Sequence, residues 1–518
     1  MAVEARPGVQ LAEVAAAITL AADLGVGQPL EHVLRACALT IKFAERLPIS
    51  DEERTATYWV ALFMIPGCTA VSYELSQVFG DDIALRAAAY STPPSALEQM
   101  RYVLGRAGGD RNLLAKTRIR LDLIRTGMSP LVKSVAAHCS INQRLAATLG
   151  LGETVTKALS QSFSRWDGKG LPAGLAGQDI ALPVRIASIA DVVEVAHREG
   201  GIDGAIASAR LWGGKRFDPE LVEAWCGMAP KLFEAVEGDA ARQLVMSARP
   251  NRRLNPDELE AGLELLADYA DLKSPWFLHH SRSVAGLAEA AARGMGLPED
   301  QARTVRHAAL VHDLGRSGVP NSIWDKPGPL SEDEWEKVRL HPYQTGRILQ
   351  RAGSFAYLAP IASAAHERVD GRGYPRAISG STIPLPGRIL ACANSYQAMV
   401  EARPYRPALT PRTAASELRK LGREGALDAA AVDAVLAAAG HPARRRALAP
   451  GGLTPREIEV LELAARGATA KQVALRLGIS PKTAGNHIER IYEKVGVSSR
   501  AEAALYAMQH GLVRGLET

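Results

Sequence analysis

Cysteine is scarce and scattered in this 518-residue chain: Cys37, Cys68, Cys139, Cys226 and Cys392 are odd in number and nowhere closely paired. That spacing argues against a disulfide framework and against a zinc knuckle, and leaves reduced, mostly buried thiols as the expectation. Aromatic residues make up only 5%, and runs of alternating β-branched residues are nearly absent, so half-buried strands are not expected. Long apolar runs are missing too. The longest early one, Val14 to Ala22, is flanked by Glu13 and Asp23 and lacks a basic start, which fits neither a signal peptide nor a membrane span. The expected location is the cytoplasm, with no membrane partner. Neither half upstream of the C-terminal segment alternates strand with helix as a phosphoacceptor receiver domain does. The formal charge of +5 is too small a surplus on this length to decide for or against nucleic acid.

What the chain has is Ala- and Leu-rich sequence with Glu, Arg and Lys at helical spacing, so the expected fold class is all-α. The segment 441–452, with Pro442, Arg444-Arg445-Arg446 and Pro450, reads as a basic linker. A softer boundary falls near Arg249-Pro250-Asn251. The expected domains are therefore 1–250, 251–440, the linker 441–452, and 453–518.

The last domain is legible helix by helix. Thr454-Pro455-Arg456-Glu457 starts a helix that stops near Gly467; Thr469 with Gln472 starts a second, ended by Gly478. Ser480-Pro481 opens a third, followed by Gly496, and Ser499 with Glu502 a fourth. In the third, Ala484, Ile488, Ile491 and Val495 form one apolar stripe. The run from Leu453 to Leu461, Gly467, Ser480-Pro-Lys-Thr483, His487, Lys494 and Gly496-Val-Ser-Ser-Arg500 resembles the LuxR-type helix-turn-helix over about sixty residues. The resemblance implies a four-helix domain that binds double-stranded DNA as a homodimer, with Lys482, Thr483 and Lys494 near phosphates and Asn486, Glu489 and Arg490 facing bases. Gly485 stands where many members carry a long or basic side chain, so sequence preference cannot be carried over.

Upstream, His280-Ser281, His312-Asp313-Leu314-Gly315-Arg316, His341-Pro342, His366-Glu367 and Asp370-Gly-Arg-Gly-Tyr-Pro375 follow one another in order. They resemble the HD-GYP phosphohydrolase domain, as do Lys326-Pro327-Gly328, Arg388-Ile389-Leu390 and Arg403-Pro404-Tyr405-Arg406. The resemblance implies imidazoles and carboxylates converging from several helices on one or two divalent metals, iron or manganese, that act on a phosphodiester. The implied ligands are His280, His312, Asp313, His341, His366 and Asn394; the implied catalytic residues are His312, Asp313 and Arg316. Three positions depart from the family: Trp276 stands for a common Glu, Ala365 for the first His of a pair, and Asn394 for an Asp. An amide oxygen removes a full charge from the ligand set. Arg316 replaces the usual Lys and keeps a cation.

Asp167-Gly-Lys-Gly-Leu-Pro172 aligns with Asp370 to Pro375 at an offset of 203, which also pairs His138 with His341 and Asp191 with Asn394. His32 aligns with His280 at an offset of 248, and that places Met64-Ile65 where the second copy has His312-Asp313. Phe163 replaces His366. The first copy is thus expected to be a degenerate HD-GYP-like bundle, inactive and without metal. Two readings of the whole chain follow. In the first, the tandem modules are a sensor or dimerisation platform for a LuxR-type transcription regulator. In the alternative, the second module is a metal-dependent phosphodiesterase acting on a nucleotide second messenger such as a cyclic dinucleotide, with an accessory DNA-binding domain.

Overall fold

The helix starts are written into the chain as capping boxes, in which a Ser, Thr or Asn side chain takes the third residue's amide and that residue's Glu or Gln reaches back. Ser50 with Glu53, Asn255 with Glu258, Ser331 with Glu334 and Thr454 with Glu457 each open a helix this way. The structure, a computed structural model, describes residues 8–92, 95–109, 111–126, 129–248, 250–442, 451 and 453–512. The expected linker residues 443–450 and 452, with Arg444, Arg445, Arg446 and Pro450, lie outside them, as do Arg249 and residues 513–518. The chain is all-α: among the described residues β-pairing is confined to isolated bridges. No single helix among them is long and apolar enough to cross a membrane. The chain divides into two units, one reaching His441 and one starting at Pro442.

In the first unit the main hydrophobic core runs from Val9 to Leu436, with smaller clusters around Phe79 and around Ile323. Its central rod is the helix Leu11–Gly25, in which every residue but Leu24 is buried. The Val14–Ala22 run is apolar all round because the helix is covered all round. It packs on His32–Ala44 and Asp51–Phe63 on one side and on Pro256–Asp271 and His341–Arg351 on the other. Glu13, near its start, accepts hydrogen bonds from the Ser354 amide at 2.7 Å and hydroxyl at 2.9 Å.

The same local devices recur on each side of this rod. The Asp23 carboxylate holds the amide of Val33 at 3.0 Å and that of Asp271 holds Ser281 at 2.9 Å, fixing the starts of His32–Ala44 and His280–Gly294. The residue just before each helix, Glu31 or His279, is left-handed, with φ 75° and 66°. Farther on, Arg185 pairs with Asp218 and Arg388 with Asp428, and each Asp caps the helix that follows it. A buried ionic cluster stitches the two sides together. Lys273 Nζ lies 3.1 Å from Asp82 Oδ2 with both side chains fully buried, Arg86 joins the same oxygen at 2.8 Å, and the Asn321 amide donates to Asp82 Oδ1 at 2.8 Å.

The second unit has its own core, built from Leu453, Val460, Leu461, Val473, Ala474, Ala484, Ile491, Ala503 and Ala507. Its helices are Pro455–Ala465, Ala470–Leu477, Pro481–Val495 and Arg500–Gln509. Gly478 and Gly496 end the second and third in the left-handed conformation, φ 64° and 70°, which glycine adopts without a Cβ penalty.

Candidate metal centre and DNA-binding helix

All but one of the polar side chains of the candidate centre sit at a helix start, a helix end or a tight loop, and Asn394 sits inside a helix. His280 opens His280–Gly294, and His341 opens His341–Arg351. His312 and Asp313 follow the end of Glu299–Leu310, and Arg316 lies in the short 3-10 turn Leu314–Gly318. Gly315 allows this turn to touch the next helix, since a Cβ there would collide with the carbonyl oxygen of His341. Asn394 projects from Leu385–Val400, and His366 from the loop after Ala359–Ala362.

These elements bring together all six expected ligand residues. The ligand atoms form two triads, His280–His312–Asp313 and Asp313–His341–His366, that share one carboxylate. Asp313 Oδ2 faces His312 Nε2 at 2.8 Å and His280 Nε2 at 3.6 Å; Oδ1 faces His341 Nε2 at 3.4 Å and His366 Nε2 at 4.0 Å. Arg316 Nη2 comes within 2.6 Å of Oδ2. These contacts lack hydrogen-bond geometry, so both Asp313 oxygens and His312 Nε2 are buried polar atoms without a hydrogen-bond partner, although Oδ2 is ion-paired with Arg316. Buried polar atoms are costly when orphaned, and a cation held between them satisfies them together.

The outer nitrogens are already committed. His312 Nδ1 donates to Ala309 O at 2.7 Å and His341 Nδ1 to Val338 O at 2.6 Å. Tyr374 Oη meets His366 Nδ1 at 2.9 Å, and Glu401 takes His280 Nδ1 at 2.7 Å. The acceptor oxygens of Ala309, Val338 and Glu401 leave Nε2 of His312, His341 and His280 with its lone pair directed inward, as ligation requires, while the Tyr374 hydroxyl can give or take the proton at His366 Nδ1. Burial pushes His280 down to about 4 and His366 to about 3, and lowers His341. Burial works against charge on Asp313, but Arg316 and His312 outweigh it and hold the carboxyl well below its ordinary value. Neutral His280, His341 and His366 beside an ionised carboxylate fit the protonation state of a metal-binding set. His280 Nε2 and Asn394 Oδ1 face each other at 3.1 Å, two acceptors that a cation between them reconciles. The donor set therefore fits one or two divalent metals.

Beside the triads opens a cavity of about 490 Å³, lined by His341, His366, Asn394, the cations Arg316, Lys326 and Arg403, and the aromatic rings of Phe277, Trp324, Trp335, Tyr374 and Tyr405. Arg316 also stacks on Phe277, 4.1 Å from its centroid. Of the departures, Ala365 is buried in the core, and Trp276 is 37% exposed with its carbonyl accepting from Arg403.

At the matching place in the first half a different structure stands. His32 Nδ1 meets Glu194 at 2.5 Å and Nε2 meets Asp191 at 3.2 Å, while Tyr90 Oη donates to the same Asp191 oxygen at 3.1 Å. His138 is spent on the Met64 carbonyl at 2.8 Å, with the Phe163 ring 4.7 Å away. Burial alone would lower His32, but hydrogen bonds from Asp191 and Glu194 raise it to about 10, so an imidazolium fills this place. Among the described residues no metal-binding cluster forms here.

The model of the HD domain matches residues 264–431, and that of the bacterial regulatory proteins of the luxR family matches residues 452–507. The chain is 30% identical over 405 residues to 3'3'-cGAMP-specific phosphodiesterase 3 of Vibrio cholerae, covering 77% of this chain and 88% of that one. The chain belongs to the HD-GYP family. Another relative is the cyclic di-GMP phosphodiesterase response regulator RpfG of Xanthomonas campestris, 34% identical over 232 residues, 43% of this chain and 60% of that one. A solved cyclic GMP-AMP-specific phosphodiesterase of V. cholerae, V-cGAP3, superposes with a TM-score of 0.59 at 27% identity, covering 84% of this chain and 98% of that one. The HD-GYP fold thus extends over most of the first unit, well beyond the residues that the HD model matches.

The HD-GYP unit is followed by a LuxR-type DNA-binding domain. On its third helix, Ala484 and Ile491 are buried, while Lys482, Thr483, Asn486, Glu489 and Arg490 are exposed together. Thr483 is partly engaged, its hydroxyl 2.7 Å from that of Ser480. Lys494 is exposed but committed, with Nζ 2.7 Å from Glu457. A Cβ at Gly485 would meet no neighbouring atom within 4 Å.

Sequence reasoning missed Glu401, Tyr90 and Glu194. Glu401 stands two residues before the quoted Arg403-Pro404-Tyr405-Arg406 run, and its carboxylate chemistry next to a family motif was the available signal.

Proposed function

We propose that this protein is a metal-dependent phosphodiesterase of 3'3'-cyclic dinucleotides joined to a DNA-binding output. The observation that carries this is the pair of triads sharing Asp313, whose carboxylate oxygens have no hydrogen-bond partner, at the edge of a 490 Å³ cavity lined by three cations. Ions held there, iron or manganese, supply when bound a nucleophile from water at neutral pH and neutralise a phosphodiester. The chain's own residues do the rest. Arg316, Lys326 and Arg403 draw in phosphates, and Trp324, Trp335 and Tyr405 offer faces on which bases stack. Glu401 fixes the tautomer of His280, and Tyr374 orients the ring of His366. The volume suits an organic ligand rather than an inorganic anion, and the substrate class is that for which the two relatives are named.

The first half is a degenerate copy that holds no metal, its place filled by the His32 imidazolium with Asp191 and Glu194. The LuxR-type domain binds double-stranded DNA in the cytoplasm as a homodimer on half-sites a helical turn apart, through Lys482, Thr483, Asn486, Glu489, Arg490 and Lys494. One observation favours a second reading, a sensor that binds the dinucleotide without cutting it: Asn394 brings no charge to the ligand set.

The test is turnover of 3'3'-cGAMP and cyclic di-GMP by the full chain with Mn²⁺ or Fe²⁺, followed by anion-exchange chromatography. A linear dinucleotide that disappears in His312→Ala is expected. Binding of either nucleotide with no product under both metals contradicts the enzyme reading and leaves the sensor.

A further inference from the structure

The two halves solve one problem with different residues. In the first, the carboxylate on His32 Nδ1 comes from Glu194, three residues after Asp191 and so on the same helix face. In the second, the residue three after Asn394 is Gln397, an amide, so both carboxylates of that face are gone. His280 Nδ1 nevertheless meets a carboxylate at 2.7 Å, that of Glu401, the residue that ends Leu385–Val400 and turns the chain into an extended conformation. Gln397 Nε2 donates to Glu401 Oε1 at 2.8 Å, so the amide at the old position steers the acid at the new one.

We infer that Glu401 is a positioning residue that returns, through the His280 ring, the negative charge that Asn394 and Gln397 withhold from the metal centre. This rests on the metal-site reading above. A carboxylate on the outer nitrogen of a ligating imidazole fixes its tautomer and strengthens it as a donor. Here it also carries the charge that makes a dication welcome in a buried site. The same Glu401 oxygen accepts from Arg403 Nη2 at 2.8 Å, and Arg403 Nη1 is anchored at 2.5 Å on the carbonyl of Trp276. Glu401 thereby holds a cation at the wall of the cavity while supporting the buried imidazole of His280.

The experiment is Mn²⁺ titration of the chelator-stripped full chain, with free Mn²⁺ read by electron paramagnetic resonance. Glu401→Gln keeps the size and loses the charge; it is expected to weaken Mn²⁺ binding by about 10- to 100-fold. Combining it with Gln397→Glu rebuilds the first half's arrangement and moves the charge to the other end of the 397–401 hydrogen bond. That double variant is expected to regain most of the affinity, an outcome that loss of folding or of packing does not produce. Wild-type affinity in Glu401→Gln overturns the inference, and so does a loss that Gln397→Glu leaves unrepaired. No Mn²⁺ binding by the wild type fails at an earlier point, by overturning the metal-site reading itself.

Discussion

The Nε2 atom of His280 faces the amide oxygen of Asn394 at 3.1 Å, whereas the equivalent nitrogen of His32 faces the carboxylate of Asp191 at 3.2 Å. The oxygen that faces the imidazole belongs to an amide in the one place and to a carboxylate in the other. Asn394→Asp adds a charge directly at the second-half centre, and the expected outcome is Mn²⁺ affinity raised by roughly tenfold. Isothermal titration of metal-free protein measures it, and affinity unchanged or lowered contradicts the placement of Asn394 in the ligand set.

The first half carries its own pH signature. His32 rises from its ordinary 6.5 to about 10 on folding because Asp191 and Glu194 outweigh the burial that would lower it. A group raised in the folded state stabilises fully below its unfolded value and loses that contribution as pH climbs through the folded one. Stability toward urea is therefore expected to decline between about pH 6.5 and 10. His32→Gln should flatten this decline; an equal slope in wild type and variant contradicts an imidazolium at this place.

The Asp82–Lys273–Arg86 cluster joins the halves through fully buried charge. Burial would raise Asp82, yet Lys273 and Arg86 hold it below its ordinary value. Asp82→Ala strands two buried cations and is expected to cost about 3–5 kcal/mol of unfolding free energy. Lys273→Met leaves Asp82 still paired with Arg86, and its cost should stay within about 2 kcal/mol. Denaturant titration ranks the two, and the reverse order contradicts the pairing.

On the DNA-binding unit, Lys482→Ala should weaken binding to all sequences and reduce the slope of log K against log salt by about 0.9. Changes at Asn486 or Arg490 should instead alter sequence preference, by about 1–3 kcal/mol per discriminated base pair. Lys494→Ala is expected to move the salt slope less than Lys482→Ala, because Lys494 is paired with Glu457. Fluorescence anisotropy over a salt series on two operators separates these effects. Equal salt slopes for Lys482→Ala and wild type remove Lys482 from the phosphate contacts.

Local features were legible in the sequence and distant ones were not. Thr454, Thr469 and Ser499 announced their helices because capping is settled within four residues. His280, His312-Asp313, His341 and His366 were legible by their order and by family resemblance, and the structure brings them to one place. The partnership of Glu401 with His280 spans 121 residues and that of Glu194 with His32 spans 162. No periodicity encodes contacts across such distances in the chain, and Glu401 is the first residue past its helix, where the backbone turns extended. The helix Leu11–Gly25 was set aside as neither leader nor membrane span. Its actual role, a rod buried between both halves, depends on surfaces that only the folded chain supplies.

The central claim is that the second half assembles a metal centre on Asp313. The most direct test is elemental mass spectrometry of the full chain purified without chelator and without oxygen, beside His312→Ala. About one or two equivalents of iron or manganese per chain, lost in the variant, is the predicted result; absence of metal from both, or equal metal in both, contradicts it.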